Sequence, residues 1–116
     1  MHIISIDKII ERLLSYAPSD AESHMRYLLA DSLAGVIHQE LLPAIDGGKR
    51  VACEILVVTD AVRHILRSKA TYLLGSVVTM GAKAGMITMR HAVDKLLKEK
   101  VISEDVANSV LANYRT

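Results

Sequence analysis

The turn signal Asp46-Gly47-Gly48 stands just before the apolar, β-branched run from Val51 to Val58, and it marks where this chain gives up helical spacing. Gly and Asp supply the backbone freedom of a tight reversal, and a β-branched run beyond it packs best in extended form, so the segment predicts a small β-hairpin. The stretch His38 to Pro43 on the near side is ambiguous by pattern. Elsewhere the apolar residues keep to helical periods. The expectation is a mainly α domain with one small antiparallel hairpin, built as a single domain over residues 1–116.

Ile6, Ile9, Ile10, Leu13 and Leu14 recur at 3–4 spacing after Ser5, a candidate N-cap, and predict a helix ending near Tyr16, before Pro18. Ser19-Asp20-Ala21-Glu22 has the form of a capping box, and Met25, Leu28, Leu29, Leu33 and Val36 carry the period onward into the longest expected helix. Ala61 to Ser68, AVRHILRS, predicts a short amphipathic helix with Val62, Ile65 and Leu66 on one face and Thr59 as its N-cap. A short helix over Tyr72 to Met80 is weakened by Gly75, Val77 and Val78. Gly81 and Gly85 bracket a turn and read as backbone-turn residues rather than ligand contacts. Met89, Ala92, Val93, Leu96 and Leu97 then define another helix, and Ser103 caps the last, with Glu104 and Asp105 in its first turn.

Composition bounds the interior and the partners. Half of the 116 residues are apolar, yet Phe and Trp are absent, so one aliphatic core of Leu, Ile, Val, Ala and five Met is expected. A formal charge of +1 with mixed signs gives no basic field for a phosphate backbone, which argues against nucleic acid despite Arg63, Arg67 and Lys69. The longest uncharged stretch, Ala70 to Ala82, falls short of the roughly 20 apolar residues of a membrane span. The start MHIISIDK lacks the pattern of a signal peptide, and the cytoplasm is the expected location. Cys53, the single cysteine, excludes an internal disulfide and reads as a packing residue of a strand.

Little local chemistry survives inspection. Gly47-Gly48-Lys49-Arg50 lacks the first glycine and the hydroxyl of a phosphate loop, and a hairpin follows where a helix is required, so no nucleotide site is expected in this chain. The histidines, His2, His24, His38, His64 and His91, never share one helical face at ligand spacing, and no metal is assigned. Glu54 is the odd residue of the apolar run, a carboxylate accounted for by a sheet edge or a partner. Arg63 and Arg67, one turn apart, form a bidentate edge suited to carboxylates on a partner or a neighbouring subunit.

The order of these segments resembles the carboxyl-terminal end of the type IV pilus retraction ATPases, the twitching-motility or PilT family of the type II/IV secretion ATPase superfamily. AVRHILRS resembles the family signature A-I-R-N-L-I-R-E, and GAKAGMITM, Gly81 to Met89, follows it in family order. HIISIDKIIER, from His2, is similar to the end of the histidine box and its helix. ADSLAGVIHQELLP, from Ala30, matches the next helix and strand, DGGKRVACEIL, from Asp46, a hairpin ending in E-I-L, and VISEDVA, from Val101, the last helix. Ile3, His64, Ser68 and Arg90 depart from the family pattern, where Thr, Asn, Glu and an acid are usual.

The resemblance implies the terminal third of a RecA-like motor, the helical part without its upstream Walker A and B core. It implies a cytoplasmic hexamer at the inner membrane, acting on a pilus platform protein, that hydrolyses ATP with Mg in the intact protein. No cofactor is expected in this chain, which is expected to be inactive alone. His2 would match the second box histidine and act catalytically only in an intact protein. Ala61, Val62, Arg63, His64, Ile65, Leu66 and Arg67 carry the retraction motif, and Gly81, Gly85 and Met86 the turn. The alternative is a stand-alone, non-catalytic module that docks on a retraction ATPase or the platform protein.

Overall fold

A computed structural model of the chain describes residues 6–114. Six helices and one hairpin follow in the order α1 (Ile6–Ser15), α2 (Glu22–Ser32), β1 (Gly35–Pro43), β2 (Lys49–Val57), α3 (Asp60–Arg67), α4 (Leu74–Met80), α5 (Met89–Lys98) and α6 (Glu104–Leu111), with short 3-10 turns at Ser19–Ala21, Thr71–Leu73 and Ala82–Ala84. The mainly helical architecture with a two-stranded antiparallel sheet agrees with the sequence reading. Ser5 lies outside the described residues. Thr59, Thr88 and Ser103 cap α3, α5 and α6, each side-chain oxygen accepting from a backbone N–H three residues on.

Two helix expectations are corrected. Ser19 does not cap α2: a 3-10 turn occupies Ser19–Ala21, and Ala21 is the N-cap with no side-chain bond. The helix also stops at Ser32, so Leu33 and Val36 do not extend it; Leu33 is already extended, and Val36 lies in β1. Gly35 and the β-branched Val36 and Ile37 favour the strand, and pairing with β2 decides the ambiguity through Pro43. The strands pair from Gly35 opposite Val57 to Pro43 opposite Lys49. Gly47, at φ +94°, makes the reversal, and Asp46 Oδ1 accepts from Gly48 N at 2.9 Å.

The expected single core is two. The first joins Ile6, Ile10 and Leu14 of α1, Ala30 of α2, Leu56 and Val58, Val62, Ile65 and Leu66 of α3, and Leu74 and Val78 of α4. The second joins Leu42 and Ala52 of the hairpin to Met89 and Val93 of α5, Ile102, Ala107 and Tyr114. The hairpin belongs to both, one end of its inner face in each, and the molecule is accordingly elongated, 50 × 31 × 20 Å. The reason lies in the alternation of β1 and β2: between the apolar ends of that face stand His38, Glu40 and Glu54, which cannot join an aliphatic core. Cys53 is not a core residue either. It is half-buried on the other face, opposite Gln39.

Candidate functional site

Helix α3 is seated by its own sequence. Val62, Ile65 and Leu66 are buried in the first core, which leaves Ala61, His64 and Arg67 as an exposed stripe one turn apart. The two arginines of the motif do not form one free edge. Arg63 pairs with Asp60 in its own helix at 2.9 Å, whereas Arg67 reaches Asp31 of α2 at 3.0 Å and lies 5.9 Å from the ring centroid of Tyr27.

Arg26, only 5 % exposed, holds the far end of that helix. Its Nε donates to Glu22 at 3.0 Å and its Nη1 to the Ser68 carbonyl at 3.0 Å, with Glu11 of α1 at 3.6 Å. The Ser68 hydroxyl donates to the Ile65 carbonyl and accepts from Ala70 N, so the serine ends α3 by local bonding. Thr71 donates to the same Glu11 carboxylate, tying in the segment after α3. Sequence reasoning missed Arg26. The signal was the Glu22 to Arg26 spacing of four on one helix face.

A glycine turn follows α4. Gly81 ends α4, and a Cβ there would come within 2.5 Å of the Met86 sulfur and 2.9 Å of the Val77 carbonyl oxygen. Gly85 sits at φ +92°. Met86, 5 % exposed, packs into the first core, and Ile87 then bridges to Ile55 on the edge of β2.

Between the two cores lies a polar seam. The Tyr114 hydroxyl donates to Glu40 Oε2 at 2.8 Å, which leaves its oxygen to accept from His38 Nε2 at 2.8 Å. Burial, reinforced by Glu40, raises the Tyr114 phenol above its ordinary range. Glu54 faces His38 across the ladder on the inner face, and its Oε1 is buried without a hydrogen-bond partner. Burial, with Asp7 nearby, pushes its carboxyl up to about 7 against the lowering effect of the Ile6 backbone. Beside it opens a cleft of about 540 Å³, lined by Asp7 and Lys8 of α1, Ser76 and Thr79 of α4, and Arg90 of α5. His2, the expected catalytic histidine, lies outside the described residues.

The chain is 32 % identical over 92 % of its length to a twitching motility protein of Neisseria gonorrhoeae. It is 31 % identical, again over 92 % of the chain, to the type IV pilus retraction ATPase PilT of Pseudomonas aeruginosa. The chain is homologous to the pilus retraction ATPases. A crystal structure of the pilus retraction motor PilT with bound ADP superposes with a TM-score of 0.79 at 28 % identity, over 94 % of the chain. The Legionella pneumophila ATPase DotB, TM-score 0.78 at 19 % identity, shares the fold. The chain spans about three tenths of these relatives: 29 % of the Neisseria protein, 31 % of the Pseudomonas ATPase and 30 % of the PilT chain. No protein-family model matches it. Among the described residues no helix is long and apolar enough to cross a membrane.

Proposed function

We propose that this chain serves as the carboxyl-terminal portion of a type IV pilus retraction motor. It transmits the consequences of ATP hydrolysis, carried out elsewhere in a hexameric ring, to pilus disassembly. The observation that carries the reading is the match over 92 % of the chain to a twitching motility protein and a pilus retraction ATPase, at 32 % and 31 % identity. Helix α3 is the working element. Its buried face and the Arg26 bond to Ser68 fix it rigidly to α2, and Ala61, His64 and Arg67 are left outward for a neighbouring subunit or the pilus platform protein. Arg67, braced by Asp31 and Tyr27, presents its charge in one position, which lowers the entropy lost when a partner carboxylate docks. Gly47-Gly48 lies in the hairpin turn and Lys49 begins β2, so nucleotide chemistry in this reading belongs to the upstream part of the motor.

The test is a chimera in which this chain replaces the matching segment of the Pseudomonas retraction ATPase in a strain lacking its own. Restored twitching is the expected result, with twitching lost in the chimera carrying Arg67→Ala while ATP hydrolysis by the purified ring persists. A chimera that assembles and hydrolyses ATP but never retracts pili would overturn the assignment.

A further inference from the structure

One buried guanidinium stands where α1, α2 and the end of α3 meet, and it joins all three. A buried charge is tolerated only where its N–H groups find acceptors. Those of Arg26 find Glu22 on its own helix, the Ser68 carbonyl at the end of α3 and, at 3.6 Å, Glu11 of α1. The guanidinium is planar and rigid, so these three directions are fixed relative to one another. A shift of α1 against α2 therefore either carries Ser68 with it or opens a charge-assisted bond in a site largely closed to water.

Glu11 ties the same end of α3 a second time. Its carboxylate accepts from the hydroxyl of Thr71, which is buried three residues beyond Ser68. The opposite end of α3 is tied elsewhere, because its N-cap Thr59 donates its backbone N–H to Val57 of β2 at 3.0 Å. One end of the helix thus belongs to the hairpin and the other to α1 and α2. Arg67 lies at the second end, held by Asp31 of α2 at 3.0 Å.

Resting on the motor reading, in which hydrolysis takes place upstream of this chain, we propose that Arg26 and Glu11 are positioning residues that couple α1 to the carboxyl-terminal end of α3. A displacement arriving along the chain acts first on α1, the first described element. Glu11 hands it to Arg26 and Thr71, and through Arg26 it reaches Ser68, while the Thr59 end stays with the hairpin. Helix α3 is then turned about that end, and Arg67 at its moving end changes position. The coupling depends on no exposed surface being free, since Arg26 and Thr71 are already buried within this chain.

Native-state hydrogen exchange on the 116-residue chain reads the first half of this coupling. Glu11→Gln keeps an acceptor for Thr71 and removes the charge that faces Arg26. It is expected to raise exchange at Ser68 about threefold and to leave Val93 in the second core unchanged. In an Arg26→Met background the same change is expected to add nothing further at Ser68. Arg26→Lys, which keeps the charge but loses the fork, is the second background if the first does not fold. An equal effect of Glu11→Gln in both backgrounds would overturn the coupling, because α1 would then act on α3 without Arg26.

The chimeric ring described above reads the second half. Glu11→Ala, which cuts both ties, is expected to slow pilus retraction about fivefold at an unchanged rate of ATP hydrolysis. Retraction as fast as in the unmodified chimera would overturn the coupling and leave the motor reading standing. Hydrolysis and retraction lost together would also overturn it, making Glu11 a residue of ring integrity. An unmodified chimera that hydrolyses ATP without retracting would overturn the motor reading itself, and the coupling with it.

Discussion

Glu54 is a carboxylate held where ionisation is costly: Oε1 has no partner, His38 across the strand is engaged by Tyr114, and Asp7 adds a like charge. Its folded-state value of about 7 lies above the ordinary 4.5. Between those two values the folded chain binds more protons than the unfolded one, so stability falls as pH rises through the window, and above 7 the full penalty remains. The cleft admits solvent on one side, which discounts the penalty to about 1–2 kcal/mol. Glu54→Gln keeps the shape and removes the charge. Chemical denaturation at pH 5 and pH 8 should show the wild type weaker at pH 8 and the variant losing most of that difference. A variant as pH-dependent as the wild type would place the titration elsewhere.

At the scale of elements, α3 depends on a residue outside it. Arg26→Met keeps the buried stem but leaves the Ser68 carbonyl and Glu11 short of a donor, a loss of about 2 kcal/mol. Urea midpoints measure that loss, and amide exchange should rise at Ser68 and Ala70 before it rises in α5. What the sequence told of α3 was its period, its Thr59 cap and its buried triplet, because those are local patterns written within eight residues. Beyond its spacing of four from Glu22, Arg26 could not be placed, because it and its distant partners Glu11 and Ser68 lie in three separate segments that only tertiary packing converges. The same division explains β1. Leu33 and Val36 continue a helical spacing by coincidence, and the hydrogen bonds that overrule it come from β2. The capping-box motif at Ser19 failed for a related reason, since the tight turn after Pro18 used those residues first. Glu54 could be singled out as anomalous from its neighbours, but not placed, because its face depends on the strand register.

Across the whole molecule the hairpin is the strut between two cores, and its polar middle sets how strongly they act together. Helices α5 and α6 reach the strut through Leu42, Ala52 and Met89, and the Tyr114 bonds to Glu40 and His38 close the gap from the carboxyl-terminal side. The first core draws buried residues from four helices, from Leu56 and Val58 before α3 and from Met86 after α4, whereas the second rests on fewer and smaller side chains, two of them alanine. Opening free energies within one fold follow such differences in local burial, so the second core should open first. Tyr114→Phe tests the coupling. The ring still fills its place, but the phenol no longer joins Glu40 to His38, a loss of about 1 kcal/mol. Native-state hydrogen exchange is expected to show α6 and the end of α5 losing protection in the variant while Ile10, Val62 and Leu66 keep theirs. Equal loss in both regions would mean that the strut transmits stability undiminished and that the two cores unfold as one unit.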